Sequence, residues 1–558
     1  MAFSIGIDLG TTNTVVSTGR VGVNGNVEVI TESINQIGAD GFSVETQDYI
    51  PSFLYVEDGE HYVGLMAKAM KGQKRNRVIA SSKNFMGQSN YEWEIDGERY
   101  NPEKVAAYFL GAVRNHLKDK YGKNVDLTNS VITVPASFNL DQRNATKMAA
   151  KLTGFGEDVT LISEPTAAIL DFINEQRKFG DEYKDVDFKD FKNVLVFDLG
   201  GGTCDIAILK VKINEDKVYV EELAVSPHTL IGGFNFDIYV AKAILRDYCK
   251  ENNIDINQFS KEQIDELENK LVVKAESAKI MMAGQYERYK DRDNVIEHID
   301  KKPYPIQIPE AINGHALKYN LTMSKYNKYI NSLITEDKST DNIITPITNT
   351  MNSANLKVND IDYVFCVGGM TKYPMVKETI KNYFNKEPLN FLDSMKAVSK
   401  GAAAYKLFNV EETSVSENVV SVVPTLPQTV FLNVKNGLPI TLIEAKTKAG
   451  TPIILENAIK VTSEIAVELE LYSGRSAFDP ELKKLNNLKL DFPHGVQVGT
   501  GINLKMEYTD KGILNFEAWI NGNEDIRAKI ELEGSNISNE EVEKIKEKYK
   551  FGNVGGIH

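Results

Sequence analysis

Apolar positions in the first 370 residues switch repeatedly between two spacings. SIGIDL (4–9), TVVST (14–18), SVITVPA (130–136), VTLISE (159–164), VLVFDL (194–199) and IAILKVKI (206–213) are short β-branched runs that predict strands. EKVAAYFLGAVRNHLK (103–118), QRNATKMAAKLTG (142–154), PTAAILDFINEQ (165–176) and KEQIDELENKLVVKAESAKIMMA (261–283) carry apolar residues at helical spacing. One of these ends at Gly154 and another has Pro165 near its start, the positions where those residues suit a helix. VNDIDYVFCVGGM (358–370) passes from helix to strand and ends on a glycine pair. Strands alternating with helices predict an α/β architecture with helix-covered sheets.

The pattern changes near residue 410. EETSVSENVVSVVPTLP (411–427) is polar, then apolar, then proline-bearing, as expected of a linker. Beyond it EIAVELELY (464–472), INLKMEY (502–508), ILNFEAWI (513–520) and RAKIELE (527–533) mostly alternate, and TDKG (509–512) reads as a hairpin turn, so an all-β domain is expected. SNEE (538–541) is a capping box, and VEKIKEKYK after it predicts about three helical turns. The expected organisation is therefore 1–410 α/β, 411–427 linker, 428–535 all-β and 536–558 a short helical tail.

One motif occurs twice. GIDLGTTNTVVS (6–17) and VFDLGGGTCDIAIL (196–209) each run from an apolar strand through an aspartate, Leu-Gly and a small-residue turn with threonine into another apolar strand. Two related lobes are implied. Glycine and threonine let a backbone approach closely, and successive N–H groups in such a turn make an anion-binding concavity suited to phosphate. Carboxylates repel phosphate, so Asp8 and Asp198 point instead to a Mg²⁺ ion held through water. A single glycine-rich hairpin is more simply a structural turn; its duplication with the aspartate favours a metal–nucleotide site. Neither a Walker A pattern nor a GxGxxG fingerprint occurs.

Composition narrows the remaining classes. The 558 residues hold 42% hydrophobic and 25% charged residues, as in soluble globular proteins. A net charge of −14 disfavours nucleic acid and anionic membranes as partners. Cys204, Cys249 and Cys366 have no metal-ligand or disulfide spacing. MAFSIGIDLGTTNTVV lacks a basic stretch and a sustained apolar run, so a cytoplasmic protein is expected.

These stretches resemble the Hsp70 (DnaK-type) chaperones, within the actin, sugar kinase and Hsp70 superfamily. IGIDLGTTNTVV, SVITVPASFNLDQRNATKMAA, LISEPTAAIL, VLVFDLGGGTCDIAIL, VNDIDYVFCVGGMTKYPMV and YTDKGILNFEA carry the likeness collinearly along the chain. It implies an actin-like ATPase domain of duplicated ribonuclease-H-like lobes, followed by a β-sandwich peptide-binding domain. Its chemistry would be Mg²⁺-dependent ATP hydrolysis, with ADP as product and K⁺ as a further cation. Carried over, Gly10, Thr11, Thr12 and Asn13 form the first phosphate turn, and Gly200, Gly201, Gly202 and Thr203 the second. Asp8, Asp198 and Glu164 address the metal, Lys83 the γ-phosphate, and Thr203 and Asp205 the attacking water. Gly232, Gly233, Gly368 and Gly369 line the cleft, and Glu276 and Lys279 lie on the adenosine side. Pro135 and Arg143 match the pair that relays nucleotide state, and Leu432, Val434, Val467 and Leu469 the peptide cleft. Core packing of a sandwich explains those four apolar residues equally well.

The chain departs from the family in four places. Ile280 replaces the adenine-stacking arginine and Ala283 a serine, and losing a stacking worth about 0.5–2 kcal/mol lowers base affinity roughly tenfold; DSMKAV (393–398) is also altered. The linker VVSVV (419–423) is interrupted by Ser421 and followed by Pro424. Thr160, Ser163 and Pro424 stand where J-domain partners are met, so a standard J-domain partnership is not expected, while a nucleotide exchange factor remains an implied partner class. Only the first lid helix has a counterpart, so bound extended peptides are expected to exchange quickly. The reading is an ATP-dependent chaperone for extended apolar peptide clients. The alternative is a nucleotide-sensing regulatory or adaptor protein with little turnover and one dedicated partner.

Overall fold

The computed structural model describes residues 3–532 except 23–26, 89, 157–158, 184, 215–216, 227–228, 313–314, 336–340, 391–392, 394, 409–419, 434–438, 475, 480–481 and 510–511. Val434 and the expected tail helix lie outside the described residues. The chain divides into two compact units: Met1–Phe191, Leu209–Leu223 and Lys396–His558 form the first, and Lys192–Ile208 with Ala224–Met395 the second.

The first unit is built around the strand Phe3–Leu9. It runs parallel to Ser130–Val134 and antiparallel to Asn13–Val21, and the sheet continues to Thr160–Ser163 on one side and Val27–Thr31 on the other. Every residue of Ser130–Val134 is buried, as expected for a strand covered on both faces. The helices start where polar side chains can satisfy their free N–H groups. Asn101 caps Pro102–Tyr121, Asn139 and Gln142 form a capping box on Leu140–Leu152, and Ser163 caps Glu164–Lys178. These elements match the expected strands and helices to within a few residues.

A buried carboxylate ties the end of Pro102–Tyr121 to this sheet. Glu32 has no exposed side-chain surface and accepts from Thr18 Oγ1, Tyr121 Oη and Lys120 Nζ, each at 2.6 Å, with His116 Nε2 at 3.1 Å. Burial opposes its ionised form, but these donors outweigh it and hold its pKa down at about 2. A depressed folded-state pKa gives stability that is complete above pH 4.5 and lost as pH falls through 2. In acid unfolding followed by circular dichroism, Glu32→Gln should therefore lose less stability over that window than the parent, from a lower starting point. An identical acid dependence in both would contradict this.

Farther along the same unit, Val420–Val423 lies within the segment expected to be a linker. It is a strand, parallel to Lys217–Val225, with Val218 beside Val420 and Glu221 beside Val423. The valines suit a pleated edge, and the partner strand offers unpaired backbone groups that such a segment can complete. Lys448 Nζ reaches Glu221 at 2.7 Å beside it. The expected all-β segment consists of two four-stranded antiparallel sheets. One orders Ile440–Ile443, Thr429–Leu432, Ala466–Gly474 and Lys483–Asp491; the other Ile453–Lys460, Gly501–Tyr508, Leu514–Ile520 and Asn523–Leu532. Both contribute to one apolar core, and Leu140 at the start of helix Leu140–Leu152 belongs to that core too.

In the second unit Lys192–Leu199 lies parallel to Tyr363–Val367, which is parallel to Leu389–Asn390. The turn after Leu199 leads into the neighbouring strand that begins at Cys204. Helices Gly233–Glu251 and Lys261–Tyr289 follow, the latter capped by Ser260 and Gln263. The three cysteines are free and buried. No helix among the described residues is long and apolar enough to cross a membrane.

Candidate functional site

Each unit carries one copy of the duplicated turn at the end of a buried strand. In the first, Phe3–Leu9 leads into Gly10–Thr12 before Asn13–Val21 begins. A Cβ on Gly10 would lie 2.3 Å from the carbonyl oxygen of Asn13, so only glycine fits this tight return. Ser52 buttresses the turn: its hydroxyl donates to the Gly10 carbonyl at 2.8 Å and its amide to the Thr12 carbonyl at 2.8 Å. Thr11 Oγ1 is 3.5 Å from Asn84 Oδ1, next to Lys83.

The charged groups beside this turn are concentrated. Lys83, in the short helix Ser82–Phe85, pairs with Glu164, the first residue of helix Glu164–Lys178, and both side chains are about one-tenth exposed. Asp8 lies within their field. Burial pushes its pKa up to about 7; Glu164 pushes in the same direction, while Lys83 and a 3.4 Å bond from Thr133 oppose the rise. A desolvated carboxylate beside a second carboxylate lacks positive charge, and a divalent cation would supply it. Asp8 and Glu164 fit a metal on that ground. No group of three His, Cys, Asp or Glu among the described residues could hold a metal by itself.

In the second unit the triple glycine is clasped from two sides. A Cβ on Gly232 would come within 2.6 Å of the backbone of Gly202 and Thr203, and one on Gly368 within 2.6 Å of Leu199 and an Asp198 carboxylate oxygen. Gly368 also has φ of +87°, where a side chain is strained. Helix Gly233–Glu251 starts against the turn, and its first amides are already used: Gly233 and Phe234 donate to the carbonyls of Gly200 and Gly201 at 2.9 and 2.8 Å. They brace the loop. Asp205 is buried just beyond it.

Lys279 is committed within the protein. Its Nζ contacts Asp237 Oδ2 at 2.7 Å and the Gly233 carbonyl at 3.1 Å, and Tyr326 Oη donates to the other Asp237 oxygen at 3.3 Å. Burial lifts Asp237 to about 6 against the pull of Lys279. Glu276 is exposed, as is Ile280, at 64%. Sequence reasoning missed Asp237 and Thr133, because neither has a local signal: each acts through a partner distant along the chain.

A family model described as Hsp70 protein matches residues 89–552 of the 558. The chain belongs to the Hsp70 family. Membership supports a chaperone-type, ATP-binding function, and members generally bind nucleotide with Mg²⁺, peptide clients and cochaperones.

The remaining expected residues fall into two groups. Pro135 and Arg143 are joined by a short turn: Phe138 N–H donates to the Pro135 carbonyl at 3.0 Å, and Arg143 Nε donates to the Phe138 carbonyl at 3.0 Å. The Lys83 ammonium lies 5.8 Å from the Phe138 ring centre, so this turn adjoins the charged cluster. Leu432, Val467 and Leu469 are at most 8% exposed and sit in the apolar core of the two-sheet region. Their side chains share that core with Leu442, Leu490 and Phe516.

Proposed function

We propose that this chain is an ATP-dependent Hsp70-type chaperone whose actin-like lobes hydrolyse ATP and whose β-sandwich binds extended apolar peptides. The observation that carries this is the grouping of Lys83, Glu164 and Asp8 beside the Gly10–Thr12 turn, in a chain with a second such turn at Gly200–Thr203. Mg²⁺ would be held near Asp8, Glu164 and Asp198, largely through water, and would neutralise charge on the phosphates. Lys83 would neutralise the γ-phosphate, and Thr203 and Asp205 would orient the water for in-line attack. K⁺ is a second cation of this reading. The working division is 1–410 ATPase, 411–427 linker and 428–535 peptide domain, in a cytoplasmic protein.

The test is steady-state ATP turnover with and without an extended apolar peptide, with Mg²⁺ present and chelated. The expected result is Mg²⁺-dependent turnover that rises with peptide. Tight nucleotide binding with negligible turnover and no response to peptide would overturn it in favour of a nucleotide sensor serving one dedicated partner.

A further inference from the structure

Helix Lys261–Tyr289 passes beside the second turn, and Lys279 marks the place. Its ammonium would lie 3.1 Å from a Cβ on Gly233, the residue whose amide donates to the Gly200 carbonyl. The helix face around Lys279 is thus the side expected to receive a nucleoside. Lys279 and Ser277 on that face are both engaged within the protein. Lys279 pairs with Asp237 and bonds the Gly233 carbonyl, and Tyr326 donates to the other Asp237 oxygen. Asp237 is buried, so giving Lys279 to a ligand would leave a buried carboxylate without its countercharge. The Ser277 hydroxyl donates back to the Val273 carbonyl at 3.0 Å, one turn earlier on the same helix. Glu276 is exposed and, ionised, offers acceptors only.

Telling one base from another depends on donors and acceptors aimed at its edge. A site built to hydrogen-bond its substrate rejects an analogue lacking the group by about 10⁴- to 10⁵-fold, whereas apolar contact discriminates by about 10²-fold at most. The surface left open beside the second turn is of the apolar kind. Ile280 is exposed on the helix face, with Ala283 one turn on. Phe234, whose amide holds the Gly201 carbonyl, leaves its ring half exposed. An aromatic face stacks on any base, because every base has a π-face.

We propose that this chain takes nucleoside triphosphates as a class, recognising the phosphates with their Mg²⁺ and accepting any of the four common bases. The inference rests on the reading of the two turns as phosphate-binding and names the substrate class of that same site. Selectivity for adenine would need a polar group on the helix face, and Lys279 is held away from that task by Asp237.

The experiment offers the full chain, with Mg²⁺, ATP, GTP, CTP and UTP in turn, reading binding by calorimetry and turnover by phosphate release. The four dissociation constants should fall within about tenfold of one another, and so should the four kcat/KM values. A wider preference for ATP in either measure overturns the inference. Ile280→Arg changes an exposed position and should tighten ATP about tenfold by stacking a guanidinium on the base. Unchanged ATP affinity in that variant places the base elsewhere and overturns the assignment of this helix face. The hydrolysis reading fails separately: four similar dissociation constants without turnover remove hydrolysis and keep the indifference to base, and no binding of any nucleotide removes both.

Discussion

Lys83→Met is expected to lower ATP turnover about 10²- to 10³-fold, the usual loss when one preorganised charge donor leaves a reacting oxyanion. The effect should fall on the single-turnover rate with nucleotide saturating, because phosphate turns and metal still bind ATP without it. A second consequence separates this lysine from a surface lysine. Lys83 is paired with Glu164 in a largely buried position, and Asp8 shares their field. Removing one member of a buried pair leaves an uncompensated charge, which is strongly destabilising. Asp8 already has a folded-state pKa raised from 3.8 to about 7. A raised carboxylate pKa means stability present at low pH and lost as pH rises through 7. Without Lys83 that loss should deepen, so the metal-free variant should melt well below the parent at pH 8 and closer to it at pH 5. Mg²⁺ with ADP should close much of the gap. Turnover within threefold of the parent would remove Lys83 from the reaction.

The sequence announces features whose cause is local. The first of the duplicated turns is legible because a tight return needs glycine at Gly10, and the glycines that clasp the second, Gly232 and Gly368, are legible because close backbone approach needs them. Helix starts are legible because Asn139 with Gln142, or Ser260 with Gln263, satisfy amides three residues away. Features whose cause lies elsewhere in the fold are not legible. VSVV at 420–423 looks like an apolar linker, and it becomes a strand because Lys217–Val225, some 200 residues earlier, offers an edge. Lys279 looks available for a ligand until helix Gly233–Glu251 brings Asp237 to its ammonium. Glu222 and Tyr508 sit in ordinary strand patterns, and only the meeting of two distant segments makes them a buried polar contact. Val467 and Leu469 alternate as any sandwich strand does, so periodicity could not separate cleft from core.

Gly401→Ala should destabilise the first unit by about 3 kcal/mol, at the upper end of the usual cost of overpacking. Helix propensity alone predicts the reverse, since alanine in a helix interior is favoured over glycine by roughly 1 kcal/mol. Packing decides the sign here. Helix Ala397–Phe408 crosses helix Glu164–Lys178 so closely that a Cβ on Gly401 would lie 1.7 Å from the Ala167 carbonyl oxygen and 3.0 Å from the Asp171 nitrogen. Both atoms are backbone, so no rotamer change can relieve the overlap, and one helix must move. The opposite side is equally tight, for a Cβ on Gly6 would meet Ala403 N and Ser399 O at 2.2 Å. Displacement therefore falls on Glu164–Lys178, and it strains the ion pairs of Lys400 with Asp171 and Glu175 at 3.2 and 3.0 Å. It also shifts Glu164, the first residue of that helix and the partner of Lys83. Thermal unfolding should show a drop of roughly 4 °C, from an unfolding entropy of about 2.1 cal/mol/K per residue over a unit of this size, together with weaker ATP turnover. Gly284→Ala supplies the contrast, since nothing lies within 4 Å of its Cβ and it should gain stability modestly. Equal melting shifts for the two variants would show that propensity, not the helix crossing, governs Gly401.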